Sequence, residues 1–162
     1  MRARSTLGFL SLILLTGAIA YPKGPSIKGS YRLVSRDLAD GTKQVPPDIV
    51  GLITFTTKYR NFNIYWKDAS GKPVSISNIA TYQLTDKSYR ETNVYYLMND
   101  ESGGKGLSYD LSATSGASPV VMKGARIEIK LPLHDEPKVV FEGNRLTATR
   151  EGAFVDHWVR VP

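Results

Sequence analysis

No cysteine occurs in the 162 residues, and histidine occurs only twice. Disulfides, thiolate nucleophiles and cysteine-based zinc or iron–sulfur sites are therefore excluded. The two histidines, His134 and His157, stand at no metal-ligand spacing, so the pattern supports no metal site. Runs of like charge are missing too. The net charge is +6 at pH 7, yet no four basic residues stand together. Lys58, Arg60, Lys67, Lys72, Lys87, Arg90, Lys105, Lys123, Arg126 and Lys130 are scattered and read as solvated surface. Nucleic-acid binding calls for a clustered basic face and has no support here. No Ser/His/Asp arrangement at a recognisable motif suggests nucleophilic hydrolysis. Gly103-Gly104-Lys105-Gly106 lacks the strand and helix that flank a phosphate cradle.

Met1 to Ala20 reads as a secretory signal peptide. Arg2 and Arg4 form its basic end, Leu7 to Leu15 its apolar run, and Ala18-Ile19-Ala20 its small-residue cleavage site. The run is shorter than the ~20 residues that a membrane-spanning helix needs. Ala18 follows Leu15-Thr16-Gly17 where a lipoprotein would carry cysteine, so no lipid anchor can form there. A secreted or periplasmic protein without a stable membrane anchor is expected. Tyr21 to Ser26 is a Pro/Gly-bearing linker, and one domain is expected over 27–162.

Within that domain the hydrophobic period is two, not 3.6. Strands are expected over Ile27 to Arg36, Leu52 to Thr57, Tyr59 to Lys67, Val74 to Leu84, Lys87 to Met98 and Leu107 to Thr114. Val120 to Leu131, Lys138 to Glu142, Arg145 to Arg150 and Phe154 to Val161 complete the set. Asp68 to Pro73, Thr85-Asp86, Gly143-Asn144 and Glu151-Gly152 are tight turns, and Ser35 to Val50 has room for one helical turn. Short strands joined by short turns predict an all-β fold. The expected form is a single up-and-down antiparallel β-barrel of about 8–10 strands, because closure removes exposed edges. A barrel of this size either fills with side chains or holds one small ligand.

Phe55, Phe62, Ile64 and Trp66, with Tyr82 across from them, are candidates to line an apolar cavity. On Lys87 to Met98, alternation places Tyr89, Glu91, Asn93 and Tyr95 on one face and Arg90, Thr92, Val94 and Tyr96 on the other. Both faces are aromatic, so the pattern alone does not say which is inward. His134-Asp135-Glu136, between Pro132 and Pro137, reads as a solvated turn. Asp156 and His157 point to opposite faces of a strand and form no dyad. A haem would find only a loop His134 or an end-strand His157 as axial ligand, so no cofactor is expected.

Ile27-Lys28-Gly29-Ser30-Tyr31-Arg32-Leu33-Val34-Ser35 resembles the opening strand of bacterial lipocalin-like domains, with Tyr31 where the family carries Trp. Gly51-Leu52-Ile53-Thr54-Phe55-Thr56, Ala80-Thr81-Tyr82, Tyr89-Arg90-Glu91-Thr92 and Gly143-Asn144-Arg145-Leu146-Thr147 are similar to later segments of that family in the same order. His157-Trp158-Val159-Arg160-Val161 resembles its ending. The resemblance implies a calycin-type barrel that binds a small apolar or amphipathic molecule. It also implies that Tyr31, Trp158 and Arg160 plug the barrel floor, and that Glu91 faces inward. A buried Glu91 needs a partner, either Arg160 or a tyrosine hydroxyl.

Binding is expected ahead of catalysis. The first reading is a ligand-binding barrel, marked by an open-mouthed void of roughly 300 Å³ or more. The second is a structural or interaction module with packed interior aromatics and exposed tyrosines. The third is an isomerase- or cyclase-type enzyme using Glu91 or a tyrosine as general acid or base.

Overall fold

The computed structural model describes residues 25–162; the expected signal peptide and most of the linker lie outside the described residues. The strands are β1 Gly29–Leu38, β2 Lys43–Gln44, β3 Ile49–Phe55, β4 Tyr59–Lys67, β5 Pro73–Leu84 and β6 Ser88–Asp100. They continue as β7 Gly106–Asp110, β8 Ser115–Lys123, β9 Arg126–Lys130, β10 Lys138–Glu142, β11 Arg145–Arg150 and β12 Phe154–Val161. No helix is present among the described residues, including the stretch from Ser35 to Val50.

Ten strands form a closed antiparallel barrel in which each pairs with the next, β2 and β7 lying off the main path. The ends meet where β12 bonds to β1, from Ser30↔Val161 to Leu38↔Phe154, setting Tyr31 beside Arg160 and Leu33 beside Trp158. Closure leaves the main path without a free edge, which removes the usual template for aggregation. The expected single strand over Val120 to Leu131 is instead the hairpin β8–β9, reversed at Gly124 with φ 60°. Only glycine adopts that left-handed conformation without steric cost. The strand expected over Leu107 to Thr114 is shorter, because β7 ends at Asp110.

Two register skips change which residues face inward. β1 skips against β12 between Leu33 and Ser35, leaving Val34 exposed. β6 carries an extra residue, Val94, where Ile79 pairs with Tyr95 and Ala80 with Asn93. One added residue reverses the alternation beyond it. Tyr31 and Leu33 are therefore followed inside by Arg36. Likewise Tyr89, Glu91 and Asn93 are followed inside by Tyr96, which pairs with the buried Asn78. Tyr95, expected on the lumen face with Glu91, shares the outer wall with the exposed Ile79.

β6 is also forked. Ser88–Thr92 pair with β8, whereas Tyr96–Asp100 pair with β7. The β9–β10 connection, 131–137, covers the fork. A side chain at Gly116 of β8 would strike Pro132 at 2.8 Å and Leu133 at 3.0 Å. His134 lies on the Tyr96 ring at 4.0 Å with an interplanar angle of 15°.

One end of the interior is packed with aromatic rings. Phe55 contacts Phe141, Tyr82 and Tyr31 with centroid separations of 5.3, 5.7 and 6.5 Å, all edge to face. Tyr82 stacks on Tyr89 at 5.7 Å. Such pairs add about 0.5–1.5 kcal/mol each beyond area burial. The Arg160 guanidinium lies 5.5 Å from the Tyr31 ring centroid and donates to the Lys28 carbonyl, capping this end.

Trp158 sits higher, beside Leu33 and Leu146, and reaches across β1 to β3. It can do so because Gly51 has no side chain: a Cβ there would lie 2.7 Å from Trp158 Cη2. Gly51→Ala is expected to destabilise the protein by about 1–3 kcal/mol, the usual cost of overpacking. Urea denaturation checks this, and an unchanged midpoint would contradict the close approach.

Candidate functional site

The inner face of β4 presents Arg60, Phe62, Ile64 and Trp66 in alternation. Arg60 was expected among the solvated bases but is 1% exposed. A buried guanidinium is tolerable only if it is paired and fully hydrogen-bonded. Its Nε and Nη2 donate to Glu91 Oε1 at 3.0 and 2.6 Å. Nη1 donates to Glu136 Oε1 at 2.9 Å, and Nη2 to Glu136 Oε2 at 2.7 Å and Asn78 Oδ1 at 2.9 Å. Tyr89 donates its hydroxyl to Glu91 Oε2 at 2.8 Å. Asn93 bonds the Asp110 and Ser112 carbonyls at 3.1 and 2.9 Å, tying the end of β7 to this network.

Glu91 therefore faces inward, but its cationic partner is Arg60 and not Arg160, which caps the far end. Two carboxylates share one guanidinium. Burial, reinforced by the charge of Glu91, pushes the Glu136 carboxyl above its usual range although Arg60 opposes the shift. Burial weighs against the Arg60 charge, but Glu136 and Glu91 outweigh it and hold its pKa above the ordinary value. Burial first, then the neighbouring Glu91 charge, lifts the Tyr89 phenol well above its normal range.

Glu136 belongs to the segment expected as a solvated turn; in fact it is 8% exposed. His134 and Asp135 both adopt positive φ, 52° and 51°. For residues with a side chain that conformation costs roughly 1–2 kcal/mol each. The segment is held down by Arg60 on Glu136, by Lys130 Nζ on the Glu136 carbonyl at 2.5 Å and by the His134–Tyr96 stack. Burial keeps the His134 pKa below its usual value, against the pull of Asp110 3.8 Å away.

Between this polar layer and the opposite end of the barrel lies a cavity of about 260 Å³. Ile53, Phe62, Ile64, Ile76, Leu146 and Trp158 supply apolar walls, with Tyr96, Met98 and His134 on the forked side. Arg36 and Asp156 also face it, bonded through two contacts of 2.6 and 2.9 Å. The Arg36 guanidinium lies 4.0 Å from the Phe154 ring centroid and 5.0 Å from that of Trp66. Burial raises the Asp156 pKa against this pairing. His157, on the other face of β12, meets Asp37 at 2.8 Å. The indole Nε1 of Trp158 and Nε2 of His134 are buried with no hydrogen-bond partner among the described residues.

Of the expected lumen residues, Phe62, Ile64 and Trp66 line this cavity. Phe55, Tyr82 and Tyr89 belong to the aromatic end, and Glu91 and Asn93 to the polar layer. Tyr95 is outside. Tyr31 and Arg160 lie at the floor, whereas Trp158 lines the cavity. Arg36, Tyr96 and Asp156 were not among the expected lumen residues, and the first two face inward through the register skips. Glu136 could have been sought from a different signal: Arg60 interrupts an otherwise apolar strand face and demands a carboxylate.

The chain matches no family model, no curated protein and no solved structure. Among the described residues no three of His, Cys, Asp and Glu gather to hold a metal ion.

Arg60→Met leaves Glu91 and Glu136 buried beside each other without a cation. The expected loss is about 3–5 kcal/mol at neutral pH. Carboxyls that stay protonated in the folded state gain stability below the unfolded value of about 4.3 and lose it as pH rises. The defect should therefore shrink at about pH 4, as read by denaturant unfolding at the two pH values. An equal loss at both would contradict the charge assignment.

Proposed function

We propose that the protein is an exported, lipocalin-like binding protein that takes one small, mostly apolar molecule into the chamber beside Trp158. The observation that carries this reading is the chamber itself. A closed barrel packs one end tightly yet keeps about 260 Å³ open among Phe62, Ile76, Leu146 and Trp158. Close-packed interiors seldom leave such space, because unfilled volume sacrifices dispersion contacts. A dry aliphatic cavity of roughly 150 Å³ takes benzene. The chamber is larger than that, and just below the roughly 300 Å³ at which sites for drug-sized molecules begin. It suits one ring with a short substituent, or a short alkyl chain. Affinity would come from desolvation, at ~25 cal/mol per Å² of apolar area buried. The leader-like Met1 to Ala20 supports delivery outside the cytoplasm.

A second reading has an observation in its favour. Leu107, Tyr109 and Leu111 are 54%, 58% and 71% exposed on or just after β7, which pairs only with β6. A barrel whose outer wall engages another protein would account for them. Catalysis has less support, because Glu91 is not part of the chamber wall and the two buried acids that are, Glu136 and Asp156, have both oxygens bonded by Arg60 and Arg36.

Ala148 lines the chamber from β11. Ala148→Phe fills it from a position that pairs in the middle of the sheet. With small aromatic compounds at increasing concentration, the wild-type melting temperature is expected to rise as mass action requires. The variant should fold and show no such rise. Equal shifts for both proteins, or none for the wild type, would overturn the binding reading.

A further inference from the structure

We infer that β7 is a self-association edge: two copies of this chain pair antiparallel through Leu107 to Tyr109, so that the sheet runs on from one barrel into the next. Nothing in this depends on what the chamber holds.

β7 is bonded on one side only. It pairs with the end of β6, from Tyr96↔Asp110 to Asp100↔Gly106, and among the described residues no strand pairs with its second edge. No backbone hydrogen bond from a turn or loop reaches Leu107, Ser108 or Tyr109 either. All three residues are exposed. Alternation sets Ser108 on the opposite face from its two neighbours, so both faces of the strand stand clear. Such an edge is a template for another strand unless charge, proline or a bulge blunts it. β2, the other strand off the main path, is two residues long, begins with Lys43 and is followed by Pro46-Pro47. Leu107-Ser108-Tyr109 has none of these devices, and its pairing with β6 shows no register skip.

The surface beside the edge favours a second copy over a charged partner. The cross-strand row from Tyr109 continues through Leu97, Ser77 and Asn63 to Leu52, and the row from Leu107 ends at Val50. Neither row holds a charged residue. The chain as a whole is basic, at +6. Copies with the same net charge repel, so they meet stably only where no like charges are opposed, as along this face. The strand also matches itself. Identical strands paired antiparallel are related by a two-fold axis, and the register that engages all of β7 centres on Ser108. Leu107 of each copy then lies opposite Tyr109 of the other, Gly106 opposite Asp110, and Lys105 opposite Leu111. Two aliphatic–aromatic cross-strand pairs result, on the face that already carries Leu97. Main-chain hydrogen bonds supply the affinity of such strand addition, and the side-chain pairs fix its register.

Sedimentation equilibrium from about 1 µM to about 1 mM covers the range of a small interface. The wild-type mass is expected to climb toward twice that of one chain. Leu107→Lys and Tyr109→Glu each set a lone charge opposite an apolar residue. The two-fold axis repeats each change, so each variant is expected to dimerise about tenfold more weakly. The two sites are 54% and 58% exposed, so both variants should keep the wild-type melting temperature. Mixed in equal amounts, the variants are expected to pair again: the new lysine lies opposite the new glutamate, and the untouched Tyr109 and Leu107 still face each other. A wild type that stays monomeric at about 1 mM overturns the inference and leaves the exposed patch to a different protein. A dimer that neither substitution weakens joins through another surface, residues 1–24 included, and overturns it as well. So does a mixture that pairs no better than its components, because the register is then wrong. Should a variant fail to fold, hydrogen exchange of the wild type decides. Amide protection within 106–110 is expected to rise with protein concentration, and unchanged exchange there overturns the inference.

Discussion

Arg60 is only 1% exposed inside the barrel, so its charge has to be answered by the protein. Glu91 answers it from β6 and Glu136 from the β9–β10 connection, which is drawn across the fork in β6 to do so. The cost of bringing three ionised groups out of water is high, several kcal/mol for each. It is offset only because the guanidinium meets both carboxylates and Asn78 in good geometry, with Tyr89 satisfying the far oxygen of Glu91. Removing any member strands the others. The network is therefore a fixed layer across the interior and not an adjustable one.

That layer divides the barrel. On one side Tyr31, Phe55, Tyr82, Tyr89 and Phe141 interlock edge to face and face to face, and Arg160 caps them. On the other side the same strands carry Phe62, Ile64, Ile76 and Trp158 around open space. The strained turn at His134 and Asp135 is tolerated because Glu136 must reach Arg60 and because His134 finds Tyr96 to lie on. Structure and site are thus coupled: the segment that completes the charge network also forms part of the chamber wall.

Period-two alternation and turn residues were enough to foresee the barrel, and with it the pairing of the Trp158 strand with the Tyr31 strand. Less of the site was legible. Val34 and Val94 look like ordinary strand residues, yet each is the extra residue at a register skip, and each reverses every side chain beyond it. A skip is decided by strand pairing across the barrel, which local sequence does not record. Arg60 and Glu136 were misread for a related reason. Charged residues are rarely buried, so each alone suggests surface. Only their mutual distance, across 76 positions of chain, makes burial affordable. Phe62, Ile64 and Trp66 were legible because their strand has no skip against either neighbour.

Diffraction from crystals of the protein under xenon pressure tests this division most directly. Xenon enters dry apolar cavities. Xenon density is expected between Phe62, Ile76 and Trp158, with none among Tyr31, Phe55 and Phe141. Density at the aromatic end, or an interior without any, would contradict a barrel split by Arg60 into a packed floor and an open chamber.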